Sequence, residues 1–325
     1  MRARRGVAML AALAAAGAAL VVTAAPAAAA AKIDPERYSW SPTGWAWYYS
    51  NTKAGIDAYA NANNMRVTGI EVTSTSPLKF AATMVRNSGS YAQTSSWVTG
   101  QTITSLKQKL AGKRLLDLER YVISGQTRFA AVIVANPSSN FHSWRWYVNA
   151  TPSFIKTKQQ EFKGRIIDID RRSTGRYDVI MLKNTGVDAK GWWYYYNRTP
   201  NQLKSLLATN KARLVDLEPE GNGRFTAVMV RTSGEYWWWH YAATSAQVNN
   251  FQAQYGMRIY HLKPYSTPNG TRYIVLLINN LDTAGTKARQ ALWGAAKNAA
   301  FLAGPHSACR ALVPAESRLL IRSTT

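Results

Sequence analysis

Five arginines recur at a near-constant interval and limit what this chain can fold into. Arg66, Arg114, Arg165, Arg213 and Arg258 stand 48, 51, 48 and 45 residues apart. Each opens a similar phrase: RVTGIE, RLLDLE, RIIDID, RLVDLE and RIYHLK. A turn follows, then a second phrase: KFAATMVRN, RFAAVIVAN, RYDVIMLKN, RFTAVMVRT and RYIVLLINN. Self-similarity at such a period marks a tandem array of supersecondary units. No single unit can bury its own apolar face, so its neighbours must stack on it.

Each unit divides into recognisable parts. The two phrases are rich in β-branched and aromatic residues and are joined by turn formers, the signature of a β-hairpin. An aromatic word comes next and reads as a third strand: WRWYVN at 144–149, WWYYYN at 192–197 and YWWWHY at 236–241. WAWYYSN at 45–51 is the same word ahead of the first arginine, and 90–98 is a degraded copy that keeps Tyr91 and Trp97. A threonine then recurs at Thr52, Thr99, Thr151, Thr199 and Thr244. Four of these lie 14 residues before the next repeat arginine, and Thr99 lies 15 before. A threonine hydroxyl there can accept from a free amide of a first helical turn. Thr199 with Gln202 and Thr244 with Gln247 have capping-box spacing. Pro152 and Pro200 fall at the first helical position, where the missing N–H is not needed. Leu203, Leu206 and Leu207 give a helix over Asn201–Asn210 its apolar stripe.

The expected fold is therefore α+β: tandem repeats of about 48 residues (β-hairpin, aromatic strand, short helix) in a closed ring or curved array of antiparallel strands. Read from the arginines, there are four full units between an N-terminal half, Tyr38–Met65, and a C-terminal half, Arg258–Leu281. Closed rings are often latched by such an offset.

Residues 1–31 stand apart from this pattern. Arg2, Arg4 and Arg5 precede an apolar run from Val7 to Val22, then Pro26 and an alanine tract through Ala31. Charge, apolar core and small residues in that order predict a secretory signal peptide cleaved near Ala30 or Ala31. The expectation is a secreted, extracellular, monomeric protein with its repeat domain at 32–282 and no integral membrane segment. The chain carries a net charge of +23. Setting aside the leader arginines leaves about +20, which favours wall polymers, anionic lipid heads or nucleic acid. Export argues against nucleic acid. Cys309 is the only cysteine, so stability must come from a core, and 12 Trp, 17 Tyr and 8 Phe supply its large side chains.

Motifs that carry chemistry are sparse. Asp117 with Glu119, Asp168 with Asp170, and Asp216 with Glu218 recur at equivalent positions. Paired acids can hydrolyse glycosides, but a threefold copy, with the second acid facing Arg128, Arg176 or Arg224 across the hairpin, reads as cross-strand pairing. Ser76-Pro77-Leu78-Lys79 and Ser153-Phe154-Ile155-Lys156 match the Ser-x-x-Lys nucleophile motif. The first falls in a turn; the second opens a helix, but no Lys-Thr-Gly or Lys-Ser-Gly follows. His142, His240, His261 and His306 show no metal-ligand spacing. No catalytic residue, metal or cofactor is expected. The binding candidates are the aromatic strands, through Trp144, Trp146, Trp192, Tyr194, Tyr196, Trp237, Trp239 and Tyr241, since exposed rings stack on sugars or grip extended peptides. Asn149, Asn197 and Asn269 open formal glycosylation sequons, two of them at the helix caps.

The RLLDLE, RFAAVIV, WRWYVN and T-x-x-Q pattern resembles the bacterial tandem repeat domain. That domain precedes a β-lactamase-like serine hydrolase domain in secreted proteins, among them the polyglycine hydrolases. The resemblance covers about residues 37–282. It implies a non-catalytic recognition module, the substrate-binding region of a serine hydrolase or peptidase, with an extended peptide or protein as partner. A carbohydrate or anionic cell-wall polymer is the alternative partner from charge and aromatic content, and a serine hydrolase using Ser153 the alternative activity. Ala288–Trp293 resembles the first helix of the hydrolase domain. Residues 283–325 then read as a helix and an irregular tail, either a natural end or the remnant of a truncated hydrolase domain, with no position that matches the family's catalytic motifs.

Overall fold

The computed structural model describes residues 42–280, apart from 174, 233, 235 and 256 and the side chains of 187 and 252–255. The expected leader and the 283–325 tail lie outside the described residues.

Five units follow one another, each an outer strand, a helix and a hairpin. Unit 1 is β1 (Trp45–Asn51), α1 (Lys53–Ala62), β2 (Met65–Thr75) and β3 (Leu78–Arg86). Unit 2 is β4 (Ser95–Gln101), α2 (Ile103–Gln108), β5 (Lys113–Ile123) and β6 (Gln126–Ala135). Unit 3 is β7 (Trp144–Ala150), α3 (Pro152–Phe162), β8 (Gly164–Ser173) and β9 (Arg176–Lys183). Unit 4 is β10 (Trp192–Arg198), α4 (Pro200–Asn210), β11 (Ala212–Gly221) and β12 (Arg224–Arg231). Unit 5 is β13 (Trp237–Ala243), α5 (Ser245–Tyr255), β14 (Met257–Thr267) and β15 (Gly270–Asn279). Each unit makes one open antiparallel sheet, ordered outer strand, second hairpin strand, first hairpin strand, as in β1-β3-β2.

This corrects the boundaries read from the arginines. The aromatic strand pairs with the hairpin that follows it, Trp45 opposite Val85 and Trp192 opposite Val230. No half-units remain, and no strand is lent from one end of the array to complete the other. The reason is geometric. The outer strand runs parallel to the inner strand β2, β5, β8, β11 or β14, with the middle strand between them. Parallel strands need a crossover of a dozen or so residues, usually helical, and the threonine-capped segment is that crossover. Between the hairpin and the next aromatic strand lies a short loop, with one 3-10 turn in three of the four.

The caps form as expected at four positions. Thr52 accepts from Gly55 N–H, Thr151 from Phe154, Thr199 from Gln202 and Thr244 from Gln247. The amides of Thr199 and Thr244 donate back to the Gln202 and Gln247 side chains. Unit 2 differs: Thr99 lies inside β4, and the cap is Thr102, boxed with Ser105. That segment is two residues shorter than its counterparts, so α2 has six residues where the other helices have 10 or 11.

Helices pack on the sheets through one stripe, Ile56 and Ala60 in α1, Leu203 and Leu207 in α4, against alternate strand residues such as Phe80, Met84, Phe225 and Met229. The five repeat arginines are all buried. Arg66 Nε donates to the Tyr91 carbonyl at 2.9 Å and Arg165 to the Asp188 carbonyl at 2.6 Å, so each ties an inner strand to the loop entering the next unit. Arg258 of unit 5 packs its guanidinium over the ring of that same Tyr91, 5.5 Å from its centroid.

A second tie recurs after three of the five hairpins. Asn136 brackets His142, donating to its carbonyl and accepting from its amide; Asn184 brackets Lys190 in the same way. Asn280, after the last hairpin, brackets Thr43, ahead of the first outer strand, with bonds of 3.1 and 2.8 Å. Tyr49 of β1 also reaches unit 5, donating to Asn249 Oδ1 at 2.6 Å and packing on Tyr273.

Inner strands stack on one another through side-chain carboxylates. Ile70 N–H donates to Asp117, Leu118 N–H to Asp168 and Ile169 N–H to Asp216, at 3.1, 3.2 and 2.9 Å. Each bond runs from the fourth residue after one arginine to the third after the next. Neighbouring inner strands therefore run in the same direction at the same level.

Candidate functional site

Because the inner strands are level, their equivalent side chains meet. The fifth residue after each arginine is Glu71, Glu119, Asp170, Glu218 and, in unit 5, Lys263. Lys263 Nζ lies 2.8 Å from Glu71, 2.7 Å from Asp170 and 4.0 Å from Glu119, and it also contacts Glu218. One ammonium thus meets a carboxylate from each of the other four units, and all five side chains are at least 88% buried. Glu71, Glu119 and Asp170 bring oxygens within 4.8 Å of one another, a spacing suited to a cation; here Lys263 is that cation.

Four carboxylates around one ammonium cannot all ionise easily. Burial pushes Glu71 up to about 8 despite Lys263. Burial, reinforced by Asp170 and Glu71, holds Glu119 well above the usual carboxylate range. Glu218 is raised by burial against the pull of Lys263. For Asp170, burial is outweighed by Lys263 and Arg172, and its carboxyl is lowered. Lys263 itself is held well above 10.5, because its carboxylates overcome its burial.

A carboxyl raised in the folded state contributes stability that is full below its unfolded value near 4.5 and is lost as pH rises through its folded value. Glu71 places that loss up to about pH 8. His240, lowered by burial to about 4, has the opposite sense, but it is neutral in both states above pH 7. The melting temperature should therefore fall between pH 7 and pH 9, as a pH series by differential scanning calorimetry will test. A flat profile would mean that Glu71 is ionised throughout.

The expected pairing of the second acids with Arg128, Arg176 and Arg224 does not occur. Register sets Glu119 opposite Ala130, Asp170 opposite Asp178 and Glu218 opposite Thr226. The tight hairpins leave these arginines at the turn, where Arg176 and Arg224 donate to the carbonyls of Asn149 and Asn197. Ser153 is exposed in the cap of α3, its hydroxyl 3.0 Å from that of Thr151. His142 is buried, with Nδ1 3.0 Å from Asp188. His240 stacks on Phe251, and His261 lies 3.6 Å from Asp216. His306 lies outside the described residues.

The aromatic candidates lie at the seams between units. Trp192 stacks on Tyr194 at 5.3 Å, and Tyr196 packs on Tyr177 of unit 3. Trp237 and Trp239 pack on the core that includes unit 4, and Tyr241 meets Phe225. Trp144 and Trp146 lie against the core of unit 2. All are half-buried except Tyr241, which is 37% exposed. Each outer strand is also a sheet edge. The Lys183 amide bonds the Ser143 carbonyl. By antiparallel alternation, Arg145 and Tyr147 then bond β9, whereas Trp144 and Trp146 direct their N–H and C=O groups away from the sheet.

At one seam this edge borders open space. A groove of about 450 Å³ is lined by Lys107, Leu110, Trp144, Arg145, Trp146 and Tyr147. It lies beside the short helix α2, where the other units carry a helix at least four residues longer. The fold and these seams define an aromatic-rich tandem-repeat protein. No protein-family model matches the chain, and no curated protein matches it. Among the described residues no helix is long and apolar enough to cross a membrane.

Proposed function

We propose that this chain is a secreted recognition module whose five units close into a ring, and that it takes an extended peptide along the free edge of β7. The observation that carries the reading is the groove beside α2, which runs along outward-directed backbone groups of Trp144 and Trp146. An extended peptide adds to such an edge through main-chain bonds, and side-chain pockets supply selectivity. Ring closure is supported by Asn280 on Thr43, which repeats between units 5 and 1 the tie that Asn136 and Asn184 make between sequence neighbours, and by Tyr49 on Asn249. In this reading the chain acts as does the substrate-binding region of the repeat family it resembles, and the bond-breaking chemistry is supplied elsewhere. Lys107 and Arg145 in the lining favour a second reading, an anionic cell-wall polymer stacked on the indoles.

Calorimetric titration of extended peptides and of wall polymers, with Trp146→Ala as control, tests both. A peptide that binds, and that loses binding when its backbone amides are methylated, supports edge addition. A polymer that binds while no peptide does would replace it with the second reading. Binding of either kind that Trp146→Ala leaves unchanged, in a variant that still melts cooperatively, would remove the groove from the account.

A further inference from the structure

The hairpin turns carry a pattern that the groove does not use. Level inner strands running in one direction send all five hairpins out at the same end of the units. Immediately before the first aromatic residue of each middle strand stands a cation: Lys79, Arg128, Arg176, Arg224 and Arg272. Arg176 and Arg224 are exposed and the other three half-exposed. Arg128, Arg176, Arg224 and Arg272 donate to main-chain carbonyls, which leaves their charge unneutralised. Of the acids near this end, Glu220 is held by Arg171 at 2.8 Å and Asp57 by Lys53 at 2.5 Å.

Register brings the helix starts to the same end. The last residue of each outer strand lies opposite that same aromatic residue, Asn51 by Phe80, Ala150 by Tyr177 and Arg198 by Phe225. The helix N-termini, with their partial positive charge, therefore lie beside the cations. Apolar side chains are exposed there too. Val122 is 55% exposed at a hairpin turn, and Phe154 42% in the first turn of α3. Ile103 opens α2 and Tyr241 nears the end of β13. Among the described residues, Phe141 is the remaining large apolar side chain in this class, and it lies at the other end.

We propose that the hairpin end of the molecule docks on an anionic lipid bilayer. Its cations would lie against headgroup phosphates while Val122 and Phe154 enter the headgroup layer. A small anion would need a pocket, whereas five cations spread over one end fit an extended surface. A soluble polyanion would use the charges but gain nothing from exposed Val122 and Phe154. Interfacial binding draws on both, apolar insertion and attraction to anionic lipid.

Co-sedimentation of the full chain with vesicles of phosphatidylglycerol in phosphatidylcholine, against phosphatidylcholine alone, tests this. Binding to the anionic vesicles should be the tighter and should weaken as salt rises. Each of Arg176→Gln and Arg224→Gln should weaken it about fivefold. Val122→Ser with Phe154→Ser should weaken it further at every salt concentration, in a variant that still melts cooperatively although Phe154 gives up its edge contact with Tyr147. Equal binding to neutral vesicles, or no binding to either, would overturn the proposal. So would binding to soluble polyphosphate of equal strength that the Val122 and Phe154 changes do not touch, which would make the surface a site for soluble polyanions.

Discussion

Replacing Lys263 with methionine should destabilise the protein by about 3–5 kcal/mol, the usual consequence of removing one partner from a buried ion cluster. Lys263 is the cation common to Glu71, Glu119, Asp170 and Glu218. Without it, the acids relax by taking up protons, so the deficit should grow from pH 5 to pH 9. Urea denaturation at those two pH values measures it. The same loss at both would mean that packing, not charge, dominates, and no loss would mean that protons alone already balance the carboxylates. Adding Glu218→Gln to Lys263→Met should restore part of the stability at pH 9, because it removes a charge that the lysine no longer offsets.

Truncating Trp97 to alanine should have an effect of similar size, about 3–5 kcal/mol by analogy with other buried aromatic residues. Trp97 of β4 is the one large ring in its outer strand, 8% exposed, edge-on to Phe80 of unit 1. Its indole N–H donates to Asp57 of α1 at 2.6 Å, and Lys53 lies over its face. The outer strand of unit 2 thus offers unit 1 one ring, where the other outer strands carry three or more. Trp97→Phe keeps much of the packing and removes one of the two donors to Asp57, which keeps Lys53, so it should cost less, about 0.5–1.5 kcal/mol. Thermal melting of both variants distinguishes the two contributions. If alanine and phenylalanine are equivalent, the bond to Asp57 carries the seam and the packing does not.

Much of this architecture was legible in the chain. The period, hairpins, aromatic strands and caps at Thr52, Thr151, Thr199 and Thr244 follow from local rules of turns and capping. What was not legible was partnership. An aromatic word standing next to a hairpin in sequence looks like that hairpin's third strand, yet it pairs with the hairpin beyond the helix, because a parallel pair needs the longer connection. Thr99 misleads for a related reason: the capped segment of unit 2 is two residues shorter than the others, and a spacing rule finds a threonine that lies in the strand. The central cluster did leave a signal. At the fifth position the phrases read Glu, Glu, Asp, Glu and then Lys. Only the level stacking of the inner strands shows that these positions meet. The groove left none, since it arises from a missing stretch of helix and not from a residue.

The sheets exchange no strands, and this bears on how the chain reaches its final state. Each unit can assemble from residues close in sequence, and a neighbour can then dock on it. The Thr43–Asn280 contact spans 237 residues. Loop-closure entropy rises only with the logarithm of length, by about 0.6 kcal/mol per doubling. Bringing unit 5 to unit 1 therefore costs little more than bringing together units much nearer in sequence.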